Sequence, residues 1–323
     1  MFLLLGAGGC VGHAFANELL RRGHGFIPLS RKALDYTNFN LLFEYIRKIR
    51  PDFLINASGF PGHPDEEACE FAREETLAAN TLLPQTIARA CLMTHTPWGH
   101  VSSGHIYSGA KIVQDGALRI ERNLHRADIR NLVTQYPEQI LGFNELDEPN
   151  FCFRCTPTTF YSGSKALAEE AVRDMGQSYI WRPGLTFNEQ EDPRNFLWRI
   201  QRTTRLCDSV NSFSHIDDFV RACLALWEQR APFGTYHVAN PGALTTRQVV
   251  RLIQRILKSD QPFEFSNHDD DDIWETRMPH SHVVLDVSKL RRAGVAMRPV
   301  QEAVEDALNH WQVATRPVEP VFH

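Results

Sequence analysis

Four apolar residues, Phe2-Leu-Leu-Leu5, run directly into Gly6-Ala-Gly8-Gly9-Cys-Val-Gly12. A stretch from Val11 to Arg22 follows with Phe15, Leu19 and Leu20 at helical spacing, and Gly23 stops it. A short continuous apolar run fits a strand buried on both faces. The succession is therefore strand, glycine turn, helix, and few folds accommodate it. A first glycine lets the chain turn tightly out of the strand. Glycines in the middle lack a Cβ, so the backbone can approach a pyrophosphate. A last glycine lets the helix pack closely on the sheet, with its positive end facing the phosphates. The spacing here is GxxGxxG with Gly8 as an extra glycine, a variant of GxGxxG. The strand before it and the helix after it give the pattern its weight. Gly6, Gly8, Gly9, Cys10, Val11 and Gly12 are expected to cradle a dinucleotide.

The same alternation continues along the chain. Phe26 to Leu29 reads as a second strand, with Pro28 awkward inside a sheet. Phe39 to Arg50 reads as a helix ended by Pro51, Phe53 to Ile55 as a third strand, and Thr76 to Cys91 as a third helix. Gly99 to Ser102 reads as a fourth strand, Tyr161 to Met175 as a helix and Tyr179 to Arg182 as a strand. Short apolar strands alternating with amphipathic helices predict an α/β fold, a Rossmann-type doubly wound parallel sheet covered on both sides. Residues 1–183 form the expected dinucleotide-binding domain, and the texture changes after Pro183. The stretch 108–158 is polar and broken by Pro137, Pro149 and Pro157. It reads as an insertion with one helix near Arg126 to Tyr136, of a length that is usually functional. Further helices are expected over Asp218 to Gln229, Thr246 to Leu257 and Val300 to Trp311, and a strand over Thr235 to Val238.

Composition excludes several classes. The chain has 323 residues and a net charge of −5, with no broad basic footprint for nucleic acid. No apolar run approaches the ~18 residues of a membrane span, and the N-terminus lacks the basic lead-in of a secretory leader. Seven scattered cysteines, an odd count, fit reduced thiols and a cytoplasmic setting better than a disulfide framework. Cys152-Phe-Arg-Cys155 has CxxC spacing without a second pair, and no metal site is expected from it. The acidic run His268 to Asp272 reads as a solvated loop, with a divalent ion as the minor reading.

Two clusters carry chemistry. Tyr161-Ser-Gly-Ser-Lys165 places a phenol and an ammonium four residues apart, on one helical face. A nearby ammonium favours the phenolate and brings the phenol into working range as an acid or base. Ser102-Ser-Gly-His105 follows the fourth strand, at the sheet edge where such folds hold their ligands. Ser103 is the expected orienting hydroxyl, with Ser102 as the alternative and a simple strand-cap serine as the plain reading. The second strand ends at Leu29-Ser30-Arg31-Lys32 without an acid. Arg31 there fits a 2′-phosphate and tilts the expected cofactor toward NADP over NAD; Ser30 and Asp35 lie beside it.

With these residues in view, the chain resembles the extended short-chain dehydrogenase/reductase superfamily. The matching blocks are Gly6 to Gly12, Asn56-Ala57-Ser58, Ser102 to Tyr107, Tyr161 to Lys165 and Phe213-Ser-His-Ile-Asp-Asp218. Within it the chain looks closest to dTDP-4-dehydrorhamnose reductases and nucleotide-rhamnose epimerase-reductases, through Pro51 to Asn56, Asp147 to Asn150, Asp192 to Asn195 and Leu285 to Lys289. The resemblance implies a nicotinamide cofactor, a smaller C-terminal α/β substrate lobe formed mainly by 184–323 with segments such as 213–240 returning to the Rossmann domain, a sugar-nucleotide substrate, a homodimer, and catalytic roles for Ser103, Tyr161 and Lys165. The implied reaction is hydride transfer to a 4-keto-6-deoxy-sugar. The alternative is a redox-neutral epimerase or dehydratase acting on a nucleotide sugar or nucleoside. The chain departs from those reductases, which carry Thr-Asp where Ser103-Gly104 stands. Its His105 falls where epimerase-reductases carry a reactive cysteine; it is expected either to move a proton or only to bond a substrate hydroxyl. Asn56, Ala57, Ser58, Asn80, Tyr161, Lys165 and Pro183 are expected on the cofactor side. Gly104, Arg182, Asn188, Arg194 and Asn195 are expected on the substrate side.

Overall fold

A computed structural model describes residues 1–62, 66–114, 116–266 and 280–312. The acidic run His268 to Asp272 lies outside these residues. The first strand, β1 (Phe2–Leu5), is buried along its whole length. It pairs in parallel with β2 (Phe26–Leu29) on one side and β3 (Phe53–Asn56) on the other. Beyond β3 come β4 (Trp98–Val101), the strand Ser178–Arg182 and the strand Gly234–His237, all parallel. Pro28 is tolerated because β2 is an edge strand, so the missing N–H leaves no ladder bond unmade on its outer side.

Two helices follow the first two strands: α1 (Cys10–Arg21) and α2 (Phe39–Ile49). One face of the sheet is covered by α1 and the helix Ile216–Glu228. Phe15 stacks on Trp181 at 5.8 Å and meets Phe219 edge-on. Gly99 makes this layer possible, since a Cβ there would lie 2.0 Å from the Trp181 ring. The opposite face packs α2 and the helix Leu83–Thr94 around Leu42, Ile46, Ile87 and Cys91. The expected third helix is interrupted by a π-helical turn over Ala78–Leu82, a distortion often found at functional sites.

The smaller lobe has its own core, built from Phe187, Leu197, Phe213, Val249, Ile253, Val300 and Val304. Its helices are Phe196–Arg202, Thr246–Leu257 and Val300–Asn309. The helix Ile216–Glu228 and the edge strand Gly234–His237 belong to the main sheet and its cover. The insertion holds more structure than one helix. A hairpin, Ala110–Gln114 against Ala117–Glu121, precedes the helix Ala127–Gln135.

Candidate functional site

The turn after β1 and the turn after β3 meet at the reversal of strand order, where open parallel sheets bind ligands. Gly6 has φ +79°, and a Cβ on it would sit 2.5 Å from the Ser58 backbone nitrogen. A Cβ on Gly12 would sit 2.0 Å from the Gly6 carbonyl oxygen. Gly8 differs from both, with nothing within 4 Å of its would-be Cβ. Two glycines thus bring backbone segments together, and the third opens onto free space. Gly9 caps α1 without any side-chain hydrogen bond, so the first N–H groups of the helix are not taken by a capping side chain. This uncapped end and the bare backbone at Gly8 fit a dinucleotide pyrophosphate.

Around this cradle, several expected ligands prove to be committed within the protein. Asn56 is fully buried; its Oδ1 accepts from the Ser58 N–H at 3.1 Å and its Nδ2 meets His100 Nδ1 at 3.0 Å. It shapes the Asn56-Ala57-Ser58 turn instead of facing a ligand. Asn80, in the π turn, grips Phe60 at both its N–H (2.8 Å) and its carbonyl (2.9 Å) and bonds Ser164. It pins the turn after β3 to the helix Phe160–Val172. At the end of β2, Arg31 is exposed, Ser30 caps its own turn through Ala33, and Asp35 is held by Thr37 and lowered by that bond.

The helix Phe160–Val172 presents Tyr161, Lys165 and Glu169 along one side. Thr159 caps it by accepting from the Ser162 N–H. The Ser103 side chain stands beside the Tyr161 hydroxyl, close enough to pull the phenol down. The His105 N–H donates to Ser103 Oγ at 3.1 Å, which fixes the serine rotamer and leaves its O–H for the phenol. Ser102 faces elsewhere: its hydroxyl donates to Glu169 at 2.5 Å. The two serines thus face different sides of the strand end.

Lys165 Nζ donates to the Val101 carbonyl at 3.2 Å and stands 5.9 Å from the Tyr161 ring centre. Burial pulls the ammonium down to about 8, against the pull of Glu169. Burial and the nearby Glu66 push the Tyr161 phenol well above its usual range, and the Ser103 bond opposes them. Burial thus outweighs the Ser103 contact on the phenol. Gly59 lies against Lys165, where a Cβ would be 3.3 Å from Nζ and 3.2 Å from Asn80 Oδ1.

Gly104 opens a tight turn, Gly104–Ile106. Its N–H donates to the Pro183 carbonyl at 2.8 Å. A Cβ there would stand 2.7 Å from Leu285 and 2.8 Å from that same carbonyl, so no carboxylate fits at this position. Buried Pro183 thereby supports the turn through its backbone. Burial, with Arg199 adding to it, pulls the His105 imidazole down to about 4. Its Nε2 is buried and makes no hydrogen bond among the described residues.

Arg182 is corrected from substrate contact to structural partner. It is 6% exposed, with Nε 3.0 Å from both Glu169 oxygens and Nη1 2.7 Å from the Tyr107 hydroxyl. Asn188 and Asn195 are likewise turned inward. Asn195 donates to the Asn188 carbonyl and side chain at 2.8 and 2.9 Å, and its own oxygen caps the helix Phe196–Arg202. Arg194 forks onto Asp192 at 2.8 and 2.9 Å. Arg194 and Asp192 both act on the Cys10 thiol, which burial and Asp192 raise to about 11, so this pair lies over the start of α1. Glu169 was missed by sequence reasoning. Its spacing of four from Lys165 on the same helix was the available signal.

The model of the RmlD substrate binding domain matches residues 1–125 and 143–313 of the chain. A trifunctional UDP-glucose 4,6-dehydratase, epimerase and UDP-4-keto-L-rhamnose-reductase of Arabidopsis thaliana is 24% identical over 262 residues, covering 80% of this chain and 35% of that protein. The chain thus spans about a third of the length of that relative. The dTDP-4-dehydrorhamnose reductase of Mycolicibacterium smegmatis is 21% identical over 319 residues, 95% of this chain and 84% of that one. Among solved structures, the UDP-rhamnose synthase of Acanthamoeba polyphaga mimivirus superposes with a TM-score of 0.79 at 18% identity, over 96% of this chain and 98% of that one. The dTDP-4-dehydrorhamnose reductase of Bacillus anthracis, in complex with NADP, superposes with a TM-score of 0.71 at 18% identity, over 96% of each chain. The family model spans both the glycine cradle and the Ser103–Tyr161–Lys165 cluster: the chain belongs to the RmlD substrate-binding domain family.

Proposed function

We propose that the chain is an NAD(P)-dependent oxidoreductase that reduces the ketone of a 4-keto-6-deoxy sugar nucleotide. The observation that carries this reading is the Ser103–Tyr161 hydroxyl pair beside Lys165, next to a glycine cradle that fits a dinucleotide. Gly6 to Gly12 would hold the pyrophosphate, with Arg194 near the start of α1. Exposed Arg31 would take a 2′-phosphate, which favours NADP over NAD. The nicotinamide ring supplies a hydride when bound.

The residues of the chain handle the oxygen and the proton. Ser103 orients the substrate oxygen, and the Tyr161 hydroxyl donates a proton to it as charge develops there. A phenol held high by burial stays protonated across neutral pH and is ready to donate. Lys165, still an ammonium at neutral pH, reprotonates or polarises this hydroxyl pair and would hold a ribose hydroxyl. The neutral His105 imidazole offers an unpaired Nε2 to a substrate hydroxyl or to an acidified C–H beside the ketone. That unpaired nitrogen favours a second reading, in which His105 also epimerises the carbon next to the ketone. Neither Gly104 nor His105 carries a carboxylate, which leaves this turn without the acids of a 4,6-dehydratase.

The test is turnover of dTDP- and UDP-4-keto-rhamnose with NADPH and with NADH. Stoichiometric oxidation of NADPH, lost in Tyr161→Phe, supports the reductase. Solvent-deuterium incorporation without net NADPH consumption supports the second reading. Cofactor that neither binds nor oxidises with any such sugar refutes both.

A further inference from the structure

Away from the glycine cradle, three segments distant in sequence bring soft and borderline ligands together. His125 follows the insertion's hairpin, Cys207 ends the strand Arg205–Cys207, and His282 lies on a segment running beside Gly109. One ring nitrogen of each histidine and the Cys207 sulfur all lie within 4.8 Å of one another. Cys207 Sγ is 2.9 Å from His125 Nδ1. The two imidazoles meet edge to face, with centres 4.6 Å apart and planes at 87°.

The structure assigns a zinc-class metal site to His125, Cys207 and His282. Zinc takes sulfur at about 2.3 Å and imidazole nitrogen at about 2.0–2.1 Å in a tetrahedron, so its ligand atoms stand roughly 3.3–3.8 Å apart. The 2.9 Å pair then opens slightly and the widest separation closes by about 1 Å, a side-chain adjustment for half-buried groups. No carboxylate belongs to the set. Two imidazoles and a thiolate select zinc, or cobalt in its place, over magnesium or calcium, which prefer all-oxygen shells.

The surroundings are organised as they are around metal ligands. Ser209 Oγ is 2.8 Å from His282 Nδ1, so an alcohol orients this ligand from outside. Asn211 donates to Ser209 Oγ at 3.2 Å and accepts from the Val283 N–H at 3.2 Å, which fixes the alcohol and the histidine-bearing segment together. Arg130 donates to the His125 carbonyl. Beneath the three side chains lies a small apolar core of Ala110, Ile112, Leu124, Ile129, Val210 and Val284. Metal ligation removes the Cys207 thiol proton outright. The bonds form between the cation and three side chains, and the one proton released goes to solvent.

The site has a structural purpose. It joins the insertion, the substrate lobe and the segment 280–285 across separations of 82 and 75 residues. Closing long loops is where a metal clip stabilises most. His125 is the last residue matched by the family model before the unmatched stretch 126–142, so the clip anchors the piece that distinguishes this chain from the family pattern.

The experiment uses the full chain, free of any histidine tag, stripped with chelator and titrated with Co²⁺. Visible d–d bands and a near-ultraviolet thiolate-to-cobalt band are expected to saturate at one equivalent per chain, and Zn²⁺ is expected to bleach them. Cys207→Ser should abolish the thiolate band and weaken binding by more than about 100-fold, beyond the 10–100-fold expected of the outer-shell change Ser209→Ala. A Cys152→Ser/Cys155→Ser double variant should behave as wild type. Zn²⁺ should raise the melting temperature of wild type but not of His125→Gln/His282→Gln. Absence of a thiolate band in the wild type, or its survival in Cys207→Ser with loss in the Cys152/Cys155 variant, overturns the assignment. If Cys207→Ser does not fold, the wild-type titration and the Ser209→Ala affinity decide.

Discussion

Replacing the glycines of the first turn one at a time separates two physical roles that a single motif conceals. Gly6→Ala puts a side chain on a residue at φ +79°, where the Cβ would lie 2.5 Å from Ser58 N and 2.7 Å from the Ala57 carbonyl carbon. The left-handed conformation alone costs roughly 1–2 kcal/mol for a residue with a Cβ. The clash is with backbone on both sides, so relief requires the turns after β1 and β3 to separate. Overpacking of this kind adds about 1–3 kcal/mol, giving an expected destabilisation of roughly 2–5 kcal/mol. Gly8→Ala meets nothing within 4 Å, and a surface change of that kind stays within about 0.5 kcal/mol. Its expected effect is on cofactor alone: a methyl between backbone and pyrophosphate should weaken NADPH binding at least tenfold, about 1.4 kcal/mol. Urea unfolding and calorimetric titration with NADPH, run on both variants, make the comparison. Gly8→Ala that binds NADPH as tightly as wild type refutes the placement of the pyrophosphate over Gly8. Gly6→Ala of unchanged stability refutes the account of the turn.

Tyr161→Phe removes the proton donor while keeping the ring and should lower kcat by about 10²–10⁴-fold, with NADPH affinity intact by titration. Glu169→Gln leaves the Arg182 guanidinium, bonded at 3.0 Å to that carboxylate, as a buried uncompensated charge; denaturant melts should show a loss of about 3–5 kcal/mol. Gly104→Asp should destabilise by about 1–3 kcal/mol through contact with Leu285 and Pro183, and Leu285→Ala in the same chain should recover part of it. The Lys165 ammonium titrates near 8 when folded and at 10.5 as a free side chain, so between these values the unfolded chain holds more protons and stability rises with pH. Wild type should therefore gain on Lys165→Met as pH rises from 8 to 10.5 in paired urea melts; a constant difference would contradict it.

The parts of this molecule that could be read from sequence are those fixed by local geometry. Phe2–Leu5, the glycines and α1 are contiguous, and the turn between them leaves no room for any residue but glycine at Gly6 and Gly12. Tyr161 and Lys165 share a helix, so their relation followed from spacing. What escaped was settled by partners remote in sequence. Arg182 stands at the carboxyl end of a strand, where ligand contacts are expected, yet Glu169 and Tyr107 claim its guanidinium. Asn56 and Asn80 occupy ligand-facing turns but spend their amides on Ser58 and Phe60. The hairpin Ala110–Glu121 was hidden because its second strand is largely exposed, with Leu118 at 59% and Ile120 at 55%, so hydrophobic alternation marks no buried face. His125, Cys207 and His282 show no ligand spacing at all, because three separate segments deliver them.

The turn after β4 shows how one substitution of residue type redistributes chemistry. With glycine at 104, the backbone comes close enough to bond the Pro183 carbonyl, and Leu285 fills the space a side chain would occupy. That contact seats the segment 283–285 against the turn, since Val283 also bridges Gly109 and Leu285 bridges Phe143. The insertion and the C-terminal segment are thereby drawn to the same wall of the site. No carboxylate stands at 104, and the titratable groups around the turn include a neutral imidazole and a high-lying phenol. The Ser103 and Tyr161 hydroxyls and the cationic Lys165 gather on one side and can donate to an oxygen that gains negative charge, as the substrate oxygen would in the ketone reduction proposed above.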